Sequence, residues 1–203
     1  AFYYRLTLLM QKFAKITGHE DDVTLYKDLG EKVKNAFNQK FYNTTDKNYS
    51  NNTVTANLLA IMHDLADQDI RKDVFDHIAS KTEGEFDGHV STGLIGIQCQ
   101  MRGLSDYGRA DLAYKIASNT SYPSWGYMIE NDATTIWELW NGNTADPAMN
   151  SANHVMLLGD LIIWYYEYLA GIKNEVESQA FKHIHMEPAM VGDLKFVKAS
   201  YNS

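Results

Sequence analysis

The chain of 203 residues has room for one domain or slightly more, and its balance of apolar and charged residues is that of an ordinary globular protein. Its net charge of -8 is spread without a long acidic run, and no Lys/Arg cluster is dense enough to follow a phosphate backbone, which argues against a nucleic-acid partner. The single cysteine, Cys99, excludes an internal disulfide and a cysteine-based zinc cluster, and its apolar surroundings read as those of a buried thiol.

In residues 1–17, Tyr3, Leu6, Leu9 or Met10, Phe13 and Ile16 recur at helical spacing, and Gly18 stops the pattern. No signal peptide is visible before this amphipathic run, and the start looks cut, as if the chain opened inside a helix. Glu20, Asp21 and Asp22 place negative charge where a second helix begins, at the positive end of its dipole. That helix continues through Tyr26, Leu29, Val33, Phe37 and Phe41, and the short turn at Gly18 and His19 makes the pair an antiparallel hairpin.

After a polar loop at 43–52, the pattern predicts helices over 53–66, 68–82, 94–103 and 107–118, the last capped by Ser105. A long apolar helix over 151–170 takes Ser151 as its N-cap and Gly171 as its end. Asp160 and Glu167 interrupt the apolar run at 155–172, so no membrane span is predicted. Alternation in residues 181–188 and 194–201, around the turn at Val191, Gly192 and Asp193, predicts a short β-hairpin that opens a β-domain.

Residues 122–154 hold three of the four tryptophans, two of the three prolines and a carboxylate, Glu138, between Trp137 and Trp140. Aromatic faces with special backbone shapes suit a concave site for a ring-shaped polar ligand. Indole walls around Glu138 would disfavour its charged form and tune it toward general-base work. Spacing alone leaves open whether Glu138 is instead a surface helix residue with the tryptophans in the core. His154, in the first turn of the last long helix, suits a sugar hydroxyl or a nearby loop, and Trp125 and Tyr127 offer a stacking face or a plug on the helices. Thr134 and Thr135 read as ligand donors or as caps. Glu83, Glu85, Asp87 and His89 are a loop mouth or a solvated face. His183 and His185 alternate onto one strand face, but no third ligand stands nearby, so no metal site is assigned. No phosphate loop, dinucleotide fingerprint or nucleophile elbow is present, and no cofactor is expected.

The string Ala133-Thr134-Thr135-Ile136-Trp137-Glu138, then Trp140, with Pro123-Ser124-Trp125-Gly126-Tyr127 before it and Asn153-His154 after it, resembles the α-L-rhamnosidases of glycoside hydrolase family seventy-eight. Gly88-His89, Thr92-Gly93, Gly96, Gly108-Arg109-Ala110-Asp111-Leu112-Ala113-Tyr114 and Tyr168-Leu169-Ala170-Gly171-Ile172 match in the same order, so the resemblance spans essentially the whole chain.

The resemblance implies a mainly α fold, roughly the second half of an (α/α)6 toroid over 1–174, and the start of a C-terminal β-sandwich over 175–203. It implies hydrolysis of terminal non-reducing α-L-rhamnosyl residues with inversion. Glu138 is similar to the family's general base and His154 to a histidine that holds rhamnose, with Trp125, Trp137 and His89 near the sugar pocket. Asp132 stands where the family commonly has Gly, and Leu139 where Arg is frequent. The family's general acid comes from an earlier motif not found here. The implied partners are therefore a rhamnose-containing glycoside and the N-terminal half of the same barrel. Another (α/α)6 glycosidase or lyase, or a non-catalytic carbohydrate-binding remnant, are the alternatives.

Overall fold

The computed structural model describes residues 1–175, 178 and 180–202. They fall into two compact units, Ala1–Ile78 and Ala79–Ser203. The first opens with the expected hairpin of α1 (Phe2–Ile16) and α2 (Glu20–Phe41). Gly18 makes the turn in a left-handed conformation (φ 75°), and the N–H of His19 closes on the Ala14 carbonyl at 2.9 Å. The helices meet at Gly30, where a Cβ would lie 2.8 Å from the Thr7 hydroxyl. A side chain there would force them apart.

Two short strands, β1 (Tyr42–Asn43) and β2 (Asn48–Tyr49), form an antiparallel hairpin within the polar loop. The fully buried Asn57 holds it, accepting from the Tyr49 N–H at 2.8 Å and donating to the Asn52 side chain at 2.8 Å. Asn57 belongs to α3 (Val54–Met62), capped by the Thr53 hydroxyl, which accepts the Ala56 N–H. This helix stops short of the expected Ala66 because Asp64 turns left-handed (φ 57°) and the N–H of Leu65 closes on Ala60. The fourth helix, α4 (Arg71–Ser80), is also shorter than predicted and passes into a π-helical turn, Lys81–Glu85.

In the second unit α5 (Leu94–Asp106) packs on α6 (Ala110–Ser118) and on α8 (Val155–Trp164), with the short α7 (Trp125–Glu130) between the last two in sequence. Ser105 does not cap the sixth helix. It lies within α5, where its hydroxyl donates to the Met101 carbonyl and accepts from the indole N–H of the fully buried Trp164 at 2.8 Å. Gly108 (φ 81°) makes the turn, and Arg109 occupies the cap position of α6. The charge inside the apolar run is also accounted for, since Asp160 on α8 pairs with Arg102 on α5 at 2.8 Å.

Ser151 is likewise not a cap. His154 precedes α8, which runs into a second π-helical turn, Tyr165–Leu169, and ends at Gly171 (φ 71°). No helix among the described residues is long and apolar enough to cross a membrane.

A β-hairpin does lie near the C-terminus, but its partners differ from those expected. β3 (Ile172–Asn174) pairs antiparallel with β4 (Ile184–Met186), in the register Ile172 to Met186, Lys173 to His185 and Asn174 to Ile184. Residues 194–201 form no strand. Alternation identifies an extended segment without identifying its partner, and Gly171 turns β3 back toward 184–186. The Glu187 N–H then reaches the Gly171 carbonyl at 3.0 Å, and the Ala189 N–H reaches Tyr168 at 3.0 Å.

Candidate active site

The aromatic stretch is arranged around α7. The buried Ser124 hydroxyl caps it by accepting the Tyr127 N–H at 2.9 Å. A Cβ at Gly126 would lie 2.3 Å from the Asn119 carbonyl, so only glycine lets α7 approach the end of α6 so closely. Trp125 is thereby buried, with its ring edge-on to Trp140 at 5.4 Å. Asp132 sits in the left-handed region (φ 60°), which Asp tolerates better than most residues, and the Ala133 N–H closes the turn on Met128 at 3.0 Å.

Glu138 follows on neither helix nor strand. Residues 135–139 run antiparallel to residues 150–154 as an irregular ribbon. The Glu138 N–H donates to the Ser151 carbonyl at 2.8 Å, and the Ser151 N–H returns a bond to Glu138 Oε2 at 3.0 Å. The Leu139 N–H donates to Asn150 Oδ1 at 3.0 Å, and the His154 N–H to the Ile136 carbonyl at 2.7 Å. The Thr135 hydroxyl donates to the Ala152 carbonyl, so this threonine ties the ribbon and does not cap a helix.

The ribbon brings Glu138 and His154 onto one short piece of backbone. It does not wall Glu138 with indoles: the carboxylate is exposed, whereas Trp137 is buried with Gly142 against its ring. His154 is half-buried at the position before α8 rather than in its first turn. His89 is tied elsewhere, with Nδ1 on the Phe86 carbonyl at 2.9 Å and Nε2 on the Ser121 hydroxyl at 2.8 Å. It therefore braces the entry to the aromatic stretch, and both ring nitrogens already have partners.

Behind the ribbon lies a cleft of about 580 Å³, lined among others by Trp125, Ile129, Thr134, Asn153, Leu158 and Tyr165. It is mostly apolar, and partial burial raises the Tyr165 phenol above its ordinary pKa. Among the described residues, no three His, Cys, Asp or Glu side chains gather to hold a metal ion. His185 instead meets Glu187 at 3.2 Å. The sequence assigns Asn150 no role and makes Ser151 a helix cap, so neither is expected to hold Glu138. The only available signal was the polar run Asn150-Ser151-Ala152-Asn153, whose side chains readily satisfy backbone groups in loops.

The mainly helical fold is that of the six-hairpin glycosidase toroid. Residues 1–169 match the model of the bacterial alpha-L-rhamnosidase six-hairpin glycosidase domain, and the chain belongs to that family. It is 32% identical to an alpha-L-rhamnosidase of Formosa agariphila, across 100% of this chain and 22% of the relative. It is also 32% identical to one of an Alteromonas species, across 98% of this chain and 22% of that protein.

Among solved structures it resembles the alpha-L-rhamnosidase of Dictyoglumus thermophilum, with a TM-score of 0.87 and 36% identity over 95% of this chain and 21% of that one. It also resembles the Streptomyces avermitilis enzyme complexed with L-rhamnose, with a TM-score of 0.86 and 28% identity over 95% of this chain and 18% of that one. The chain thus spans about a fifth of the length of these relatives.

Proposed function

We propose that the protein carrying this chain hydrolyses terminal α-L-rhamnosyl groups with inversion, and that Glu138 is its general base. The observation that supports this most is the exposed Glu138 carboxylate, held through Oε2 by the Ser151 N–H on a ribbon that also fixes His154. An inverting hydrolysis needs one carboxylate to take a proton from the attacking water. It needs a second carboxyl group, about 6.5–9.5 Å away, to protonate the leaving oxygen. Glu138 fits the first role. His154 would hold a sugar hydroxyl, and Trp125 and Trp137 would support the pocket from behind.

The second role falls outside these residues. Glu130, Asp132 and Glu85 are local carboxyl groups, and none stands in the family's acid motif. On this reading the general acid comes from a preceding half of the barrel. The apolar side chains that α1 and α8 leave in solvent, Leu6, Phe13, Val155 and Ile162 among them, favour such a partner. Residues 175–203 would begin the β-sandwich that follows the barrel.

The test is hydrolysis of an aryl α-L-rhamnopyranoside with a good leaving group by the full-length protein, by residues 1–203 alone, and by the full-length Glu138→Gln variant. The full-length protein is expected to release the inverted sugar. Residues 1–203 alone should be nearly inert, and Glu138→Gln should lose about 10²-fold or more in kcat. A full-length protein silent on rhamnosides sinks the substrate assignment, and an active Glu138→Gln variant sinks the role of Glu138.

A further inference from the structure

A general base on an exposed loop has to be held, because a long carboxylate side chain on irregular backbone samples many rotamers, and misplacement by about 1 Å can cost 10²-fold in rate. Helical and strand ladders supply no restraint at 138, so the restraint has to come from side chains and from the facing loop. One residue meets the catalytic segment at two points. The amide oxygen of Asn150 accepts the Leu139 N–H at 3.0 Å, fixing the backbone on the C-terminal side of Glu138. The peptide that joins Asn150 to Ser151 carries the N–H that reaches Glu138 Oε2 at 3.0 Å. On the other side, the Glu138 N–H is held by the Ser151 carbonyl at 2.8 Å.

We infer that Asn150 is a positioning residue for the base: its side chain locks the 150–151 peptide onto the 138–139 peptide, so that the Ser151 N–H orients the Glu138 carboxylate. The inference rests on the general-base reading of Glu138 and goes beyond it by naming what aims the base. Asn150 acts through Glu138 and is assigned no contact with substrate. Its side chain is half-exposed, and water can solvate the Leu139 N–H when the amide is gone. Loss of the clamp should therefore appear in the rate rather than in stability.

The experiment uses the full-length protein and the activated aryl α-L-rhamnopyranoside, with kcat, KM and the thermal unfolding midpoint measured for Asn150→Ala, Asn150→Asp and Glu138→Gln. Asn150→Ala removes the acceptor and should lower kcat by about tenfold or more, with KM within about threefold and the midpoint unchanged, the pattern of an interaction that matters in the transition state. Asn150→Asp keeps an acceptor of the same reach and should retain at least about a third of kcat on its pH plateau.

A smaller fall for Asn150→Ala, a change confined to KM, a fall that accompanies a lowered midpoint, or an Asp variant as impaired as the Ala variant each overturns the positioning role. Glu138→Gln reports separately on the base. If it loses about 10²-fold while Asn150→Ala loses little, the clamp fails and the base stands. If it stays active, the base reading fails with the clamp that depends on it.

Discussion

Helices α1 and α5 are both expected from apolar runs in the sequence, yet they meet different fates. Only Thr7 and Ala14 are buried on α1, and Phe2, Tyr3, Leu6, Leu9, Met10, Phe13 and Ile16 stand exposed. Helix α5 buries Ile97, Cys99, Gln100, Met101 and Leu104 against α6 and α8. A hydrophobic stripe records a demand for burial and does not say that the partner lies in the same stretch of chain. For α5 the partners are in the second unit. For α1 the demand is left over, and on the proposed function the remainder of the barrel meets it.

This contrast can be broken most directly at Trp164. Its ring is fully buried and its N–H bonded to Ser105, so Trp164→Ala should destabilise residues 1–203 by about 3–5 kcal/mol, read from denaturant unfolding. Asn57→Ala comes next. It strands the buried Tyr49 N–H and should cost about 1–3 kcal/mol, because an unpaired buried donor loses more than the bond itself contributed. Phe13→Ser, on the exposed stripe of α1, should change residues 1–203 by less than about 0.5 kcal/mol and the full-length protein by considerably more. Equal costs for Phe13→Ser and Trp164→Ala in the shorter chain would show that the two helices are not in different states.

The sequence made the elements legible where local chemistry decides. Gly18 and the acidic turn at 20–22 set the first hairpin, and α5 starts where the spacing put it. It misplaced the boundaries that depend on a single backbone conformation, such as Asp64 closing α3 early, and those that run into π-helical turns. It found the extended segment at 184–186 and gave it the wrong partner, since strand pairing is set by contacts across the chain.

At the site, Glu138 and His154 were reachable through the aromatic motif and the family resemblance. The clamp at Asn150 was not. A side chain bonded to a backbone N–H eleven residues back leaves no periodic trace. The indole walls expected around Glu138 failed for a related reason, because neighbours in sequence on irregular backbone need not face the same way.

The ribbon that carries Glu138 is closed by an exposed segment. After the turn in which Thr144 and Ala145 bond back to the Asn141 carbonyl, the Ala148 and Met149 N–H groups bond locally to Asp146, and Met149 lies open to solvent. Doubling the length of such a closed loop adds only about 0.6 kcal/mol of closure entropy. Insertions there can therefore accumulate over evolution while the bonds at 135–139 and 150–154 keep the carboxylate in place. The fold thus separates a part of the surface that is free to diversify from the few atoms that cannot move.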